Sequence, residues 1–187
     1  MAGSIRSFVA FDMDNEAVLS RITHVQSLLV KTGADLKPVD PKNIHITVRF
    51  LGDIAPTMVD KIHEEMKKTQ FATFNAKIHG VGAFPNTHNP RIVWAGLTDG
   101  ADQLRSIFEQ LEPRLHELGF PPEPKGFNAH LTIARVRSGS NKDALVKCIK
   151  ENADLDFGVV RATCLRLKSS DLTPRGPIYA TLREYCP

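Results

Sequence analysis

Hydrophobic and polar residues alternate between two rhythms along the chain. "RSFVAFDM" has the apolar, β-branched and aromatic content of a strand, and the spacing predicts one from Arg6 to Met13. From Glu16 to Lys31 the period changes. Val18, Leu19, Ile22, Val25, Leu28 and Leu29 recur at helical spacing, and Gly33 follows as a terminator. "LKPVDPKN" reads as a loop or a short edge strand, because Pro38 and Pro41 exclude a central one. A strand over 43-NIHITVRFLG-52 comes next, then a second helix with Pro56 in its first turn, running to about Lys68. "TFNAKIHGVGAF" and "RIVWAGL" predict two strands, parted by the turn residues of "PNTHNP".

A third helix is expected from about Ala101 to Leu118, a strand over 128-NAHLTIAR-135, and a fourth helix from about Asn141 to Glu151. "DFGVVRATCLRLKSS" and "GPIYATLREY" read as two closing strands joined by "DLTPRG". Consecutive strands recur, so the order is no strict strand–helix alternation. This predicts an α+β fold with largely antiparallel sheets and outer helices. The two similar strands, each followed by a helix, suggest two pseudo-symmetric lobes with a cleft between them, forming a single bilobal domain over residues 1–187.

The similarity of those two strands is the informative feature. Each carries Asn-x-His-aliphatic-Thr-aliphatic, at 43–48 and again at 128–133. With 7 His and 12 Thr in 187 residues, chance supplies roughly 0.4 His-x-Thr triplets, so one copy would carry no weight. Two copies with a shared Asn and matching aliphatics do. Residues two apart on a strand share a face, so His45 and Thr47 point one way and Ile46 and Val48 the other. His130 and Thr132 repeat the arrangement, backed by Leu131 and Ile133.

Two imidazoles on one cleft suit proton transfer in opposite directions, one ring neutral and accepting, the other cationic and donating. Threonine hydroxyls can hold a nonbridging oxygen between them. The matching substrate is a phosphate ester, and no metal or other cofactor is required. Asp53 is the only nearby carboxylate that speaks for a metal. The composition, 42% apolar and 24% charged with a net charge of +3, is that of an ordinary globular protein that tolerates an anionic partner. Three cysteines, an odd number with no CxxC, argue against a disulfide framework or structural zinc and for a cytoplasmic setting. No apolar run approaches the ~20 residues that cross a bilayer, and no signal peptide is visible.

"HITVRFLG", "GVGAFPN", "RIVWAGL", "NAHLTIARV" and "LKSSDLTPRGPIYATL" occur in order and span almost the whole chain. Together they resemble the RNA 2′,3′-cyclic phosphodiesterases, also called 2′-5′ RNA ligases, within the two-histidine phosphoesterases. The resemblance implies a bilobal α+β fold. It also implies metal-independent hydrolysis of a ribose 2′,3′-cyclic phosphate to a 2′-phosphomonoester, with ATP-independent 2′-5′ ligation as the reverse. It casts His45 as proton donor, His130 as proton acceptor, and Thr47 and Thr132 as phosphate ligands. Phe50 would stack on the terminal base, and Arg135 would lie near the phosphate. The implied partners are RNA ends or nucleoside 2′,3′-cyclic phosphates, met by a monomer with no membrane involvement.

Strand parity resists two of these assignments. Phe50 and Arg135 each lie five residues beyond their histidine, so strict alternation puts them on the opposite face. Each reaches the cleft only if its strand twists or bulges. A core phenylalanine and a surface arginine are the alternatives. Arg49 and Arg137 share the phase of Thr47 and Thr132, with ordinary surface roles expected and positive charge in the cleft as the alternative. Lys168, near the end of the first closing strand, and Arg175, in the loop that follows, have structural roles by default, with steering of a polyanion as the functional option. Phe84 and Trp94 either line the first lobe or, the simpler account, pack in the core, and surface or helix-face roles are expected for most of His24, His63, His79, His88 and His116. Two other functions stay open: a nucleotide-binding module without turnover, and a two-histidine enzyme for another cyclic phosphate such as ADP-ribose 1″,2″-cyclic phosphate.

Overall fold

A computed structural model describes residues 3–187. Among these residues, nine strands and four α-helices follow one another as β1 (Ile5–Asp12), α1 (Glu16–Lys31), β2 (Leu36–Pro38), β3 (His45–Ile54), α2 (Met58–Lys67), β4 (Phe74–Phe84) and β5 (Ile92–Leu97). Then come α3 (Ala101–Glu117), β6 (His130–Val136), α4 (Lys142–Glu151), β7 (Asp156–Ala162), β8 (Leu165–Thr173) and β9 (Gly176–Tyr185). The strands form two antiparallel sheets, ordered β3-β1-β8-β9 and β2-β6-β5-β4-β7. α2 packs on the first sheet and α3 on β3, while α1 and α4 pack on the second. The α+β architecture expected from the sequence is therefore present.

The apolar period of α1 does what it predicts: Val18, Ile22, Val25 and Leu29 are buried, and the Asn15 side chain caps the helix by accepting from the Val18 amide. Gln26 is buried among them. Its Nε2 donates to the carbonyls of Val39 and Ile133, tying α1 to β6. Residues from both sheets and all four helices form one buried cluster, which fixes the two sheets against each other. β2 is the short edge strand allowed by its proline. Among the described residues no helix is long and apolar enough to cross a membrane.

Three expectations need correction. Pro56 lies outside α2, which starts at Met58 with Thr57 as its N-cap. The stretch read as one strand, 156–170, is two: β7 belongs to the second sheet and β8 to the first, with the crossing at 163–164. No Gly, Pro or Asn marks that crossing, so composition carries no sign of it. The expected absence of a disulfide also fails. Cys164 and Cys186 are bonded, their Cα atoms 4.3 Å apart, because antiparallel pairing of β8 and β9 brings the flanking positions together. Cys148 is the free one.

The bridge closes a loop of 22 residues, for which chain entropy gives ~3 kcal/mol of stabilisation. Cys164→Ser is expected to lower the thermal midpoint of the oxidised protein. Cys186→Ser should match it, and the double variant should lose no more than either single one. Thermal unfolding with and without a thiol reductant checks this, since only the parent should respond to the reductant.

Candidate active site

β3 and β6 carry the two motifs, and they approach within 8 Å between Cα atoms where the two sheets meet. His45 and His130 open these strands and are built alike. The Nδ1 of His45 lies 2.7 Å from the Asn43 carbonyl, and that of His130 lies 2.7 Å from the Asn128 carbonyl. A carbonyl oxygen only accepts, so Nδ1 carries the proton and donates in both rings. Each Nε2 is left free to take or give a proton. The Asn43 side chain donates to the Pro177 carbonyl at 2.9 Å, which anchors the first motif to β9.

Strand pairing shows how the parity conflict is resolved. Phe8, Ala10 and Asp12 alternate on one face of β1, and their partners on β3 are Phe50, Thr47 and His45. Val48 is the extra residue, a bulge that shifts the phase by one. Phe50 thus joins His45 and Thr47 on the cleft face, 56% exposed. On β6 the same thing happens at the same offset. Ile92, Trp94 and Gly96 of β5 pair with Arg135, Thr132 and His130, and Ile133 is extra. Arg135 is therefore on the face of His130 and Thr132, and exposed.

The bulge has the opposite effect on Arg49. Expected at the surface, its side chain is buried inside the fold. Nε lies 2.6 Å from Glu112 Oε2 and Nη1 lies 3.2 Å from Glu123 Oε2, with the carbonyls of Phe50 and Pro121 also accepting. Arg137 is exposed beyond the end of β6, and Arg175 sits in the exposed β8–β9 turn. Lys168 is in a strand, as the reading of "DFGVVRATCLRLKSS" has it. It lies on β8 opposite Phe8 and is paired with Asp12, which also meets Arg166 at 3.5 Å. Asp53, the carboxylate that spoke for a metal, is opposite Arg6, near the end of β3 away from His45. Among the described residues the one set of three potential donors close enough for a metal is Cys164, Glu184 and Cys186, whose sulfurs are bonded to each other.

Several cleft residues escaped the sequence reading. Phe8 stacks on the His45 ring at 4.7 Å between centroids, and Tyr179 meets its edge at 5.2 Å. Phe84 meets the edge of His130 at 4.9 Å and lies 5.5 Å from Trp94. Phe84 and Trp94 thus belong to the face of His130 and Thr132 rather than the core, because Phe84, Gly82 and their partners Ile92 and Trp94 share the phase of Thr132. Alternation from Arg6 to Asp12 was the available signal for Phe8; nothing local singled out Tyr179. Among the other histidines, His24, His88 and His116 are exposed as expected, and half-buried His63 contacts the Glu184 carbonyl.

These surroundings set the electrostatics. Burial brings the His45 pKa down to about 4, with the Asn43 carbonyl and Asp12 opposing and the charges of Lys168 and His130 adding to the fall. His130 is also lowered, first by burial and then by Arg135, against its bond to Asn128. Burial raises the Tyr179 hydroxyl, while the charges of Arg135 and Arg6 pull it down. Arg135 therefore acts on groups from both sheets, and the histidines sense each other across the cleft.

Low folded-state values have a sign. Between pH 6.5 and about 4 the unfolded chain binds the proton that folded His45 refuses, so this contribution to stability, present above 6.5, is lost as pH falls. The thermal midpoint of His45→Asn is expected to fall less steeply over that window than the parent's. Parallel slopes in melts from pH 7 to 4 would contradict the assignment.

The profile of the family described as LigT like Phosphoesterase matches residues 14–94 and 96–179. An RNA 2′,3′-cyclic phosphodiesterase of Aeropyrum pernix is 38% identical over 89% of this chain and 95% of its own length. One of Archaeoglobus fulgidus is 35% identical over 97% and 99%. Among solved structures, a Thermus thermophilus protein superposes with a TM-score of 0.79 at 26% identity, covering 97% of both chains. E. coli LigT complexed with 3′-AMP gives 0.80 at 18% identity over 98% of both, a likeness of fold alone. With a family match that runs through both histidine strands, the chain belongs to the LigT-like phosphoesterases.

Proposed function

We propose that this protein is a metal-independent RNA 2′,3′-cyclic phosphodiesterase that opens the cyclic phosphate of RNA ends or nucleosides to a 2′-phosphomonoester. The observation that carries the reading is the matched pair of imidazoles, each with Nδ1–H committed to a backbone carbonyl and Nε2 uncommitted. The names of the relatives support the substrate class.

In this scheme His130 Nε2 takes a proton from water, and the water oxygen bonds to phosphorus as the P–O3′ bond breaks. Protonated His45 gives its proton to O3′. Thr47 and Thr132 hold the nonbridging oxygens, Arg135 adds positive charge, and Phe50 supplies the platform for the terminal base. Unliganded His45 resists protonation, so the phosphate anion must supply the field that favours its cationic form. A 5′-hydroxyl in place of water gives a 2′-5′ linkage without ATP.

Product analysis tests the proposal. With an oligoribonucleotide ending in a 2′,3′-cyclic phosphate, the phosphate is expected to stay on O2′ and EDTA to leave the rate unchanged. Retention on O3′, loss of activity in EDTA, or recovery of intact substrate after binding would each refute it. Faster turnover of ADP-ribose 1″,2″-cyclic phosphate would reassign the substrate.

A further inference from the structure

A cavity of about 280 Å³ adjoins His130 and is lined by His79, Gly96, Trp94, Asn128, Ala129 and Ala153, among others. Asn128 is the residue whose carbonyl holds the His130 ring, and Gly96 is the cross-strand partner of His130. The cavity therefore abuts the start of β6 beside His130, is otherwise lined from β4, β5 and Ala153, and takes no lining residue from β3.

Its wall is an indole laid flat along the sheet. A Cβ on Gly82 would come within 2.2 Å of the Trp94 ring, and one on Gly96 within 3.1 Å of it. Gly82 tolerates no side chain while Trp94 keeps this pose, so it makes room for the indole; at Gly96 the nearest obstacle is the His79 carbonyl, at 2.8 Å. The Trp94 Nε1–H is shielded from solvent and has no acceptor among the described residues. A buried donor without a partner costs stability and calls for an explanation. That donor is out of a ligand's reach in this pose, and it is the flat ring beside a volume suited to one heterocycle that defines a site for a nucleobase.

Position says which nucleobase. The terminal ribose that bears the cyclic phosphate supplies O3′, protonated by His45, so its base belongs with Phe50. The group handled by His130 is the nucleophile. Resting on the reading of His130 as proton acceptor, we propose that the Trp94 cavity binds the nucleoside of an incoming 5′-hydroxyl strand and places that hydroxyl where water otherwise stands. The 5′-oxygen bonds to phosphorus as the P–O3′ bond breaks. The hydroxyl proton passes to His130 and the His45 proton to O3′, leaving a 2′-5′ diester with no further reactant.

Trp94 is the chain's single tryptophan, so its emission reports on the cavity directly. Adenosine is expected to change that emission saturably in the parent protein. It should also divert nucleoside 2′,3′-cyclic phosphate from the 2′-monophosphate to the 2′-5′ dinucleotide. Ala153 is exposed at the cavity mouth, and Ala153→Phe should obstruct it without touching the cleft. That variant is expected to lose the emission response and to lower the dinucleotide-to-monophosphate ratio about 10-fold, within the worth of one base–aromatic stack, while hydrolysis continues. An unresponsive parent emission overturns the site. So does an Ala153→Phe variant with the parent's response and product ratio, or adenosine binding without any dinucleotide. Absence of hydrolysis in the parent would instead defeat the phosphodiesterase reading, which separates the two failures.

Discussion

His45→Ala and His130→Ala are each expected to lower turnover of a 2′,3′-cyclic phosphate by at least ~10²-fold, the lower range for loss of general acid or base catalysis. The two losses have different signatures. Without His130 the acid limb of the pH–rate profile should disappear, because no acceptor remains to be blocked by protonation. Without His45 the alkaline limb should go, and a substrate with a more acidic leaving group should recover part of the rate, since it needs no proton. The double variant should be little slower than the worse single one, as groups that serve one transition state do not add. Neither change removes a core side chain, for both rings line the cleft and their strands are held by Ile46, Val48, Leu131 and Ile133. Steady-state rates with thermal midpoints from the same preparations check this. Near-parental turnover by either folded variant would refute the proton-transfer scheme.

Arg49→Ala should have the largest effect on stability. The parent guanidinium sits between Glu112 and Glu123, with side-chain exposures of 7%, 19% and 23%. Truncation leaves two shielded carboxylates facing each other and strips donors from the Phe50 and Pro121 carbonyls. Breaking a buried pair in this way costs ~3 kcal/mol at the lower end of measured cases. For a chain of this length that corresponds to a fall in thermal midpoint of roughly 6–12 °C. Lysine offers one point charge where a planar fork is used, so Arg49→Lys should recover only part of it. Adding Glu112→Ala to Arg49→Ala should cost less than the sum of the two. A thermal midpoint for Arg49→Ala within a degree or two of the parent would show that the cluster is not structural. Because Arg49 also holds the Phe50 carbonyl, substrate affinity should weaken in the same variant.

The motif strands, the helices and the shared face of the histidines and threonines were legible in the sequence because each rests on short-range periodicity. α1 starts and ends where its apolar spacing and flanking residues place it. His45, Thr47, His130 and Thr132 share faces by simple alternation. What was hidden depends on partners distant in sequence. The burial of Arg49 needs Glu112 and Glu123 from another segment, and the Tyr179 contact with His45 needs β9 folded back on β8. The Cys164–Cys186 bridge likewise exists only once those two strands pair. Steering of a polyanion was the functional option for Lys168, whereas its side chain is fixed by Asp12, 156 positions earlier. The resemblance gave Phe50 and Arg135 roles that spacing alone forbids, and only the register of β1 against β3 and β5 against β6 reconciles them.

Val48 and Ile133 act as phase inverters. Between the histidine and the residue five beyond it, each strand carries one residue more than its neighbour matches, and that surplus turns an odd count into a shared orientation. A transplant of residues 45–50 into a regular host strand would therefore keep every side chain yet set imidazole and phenyl back to back. Excising Val48 from the native chain would do the same from within.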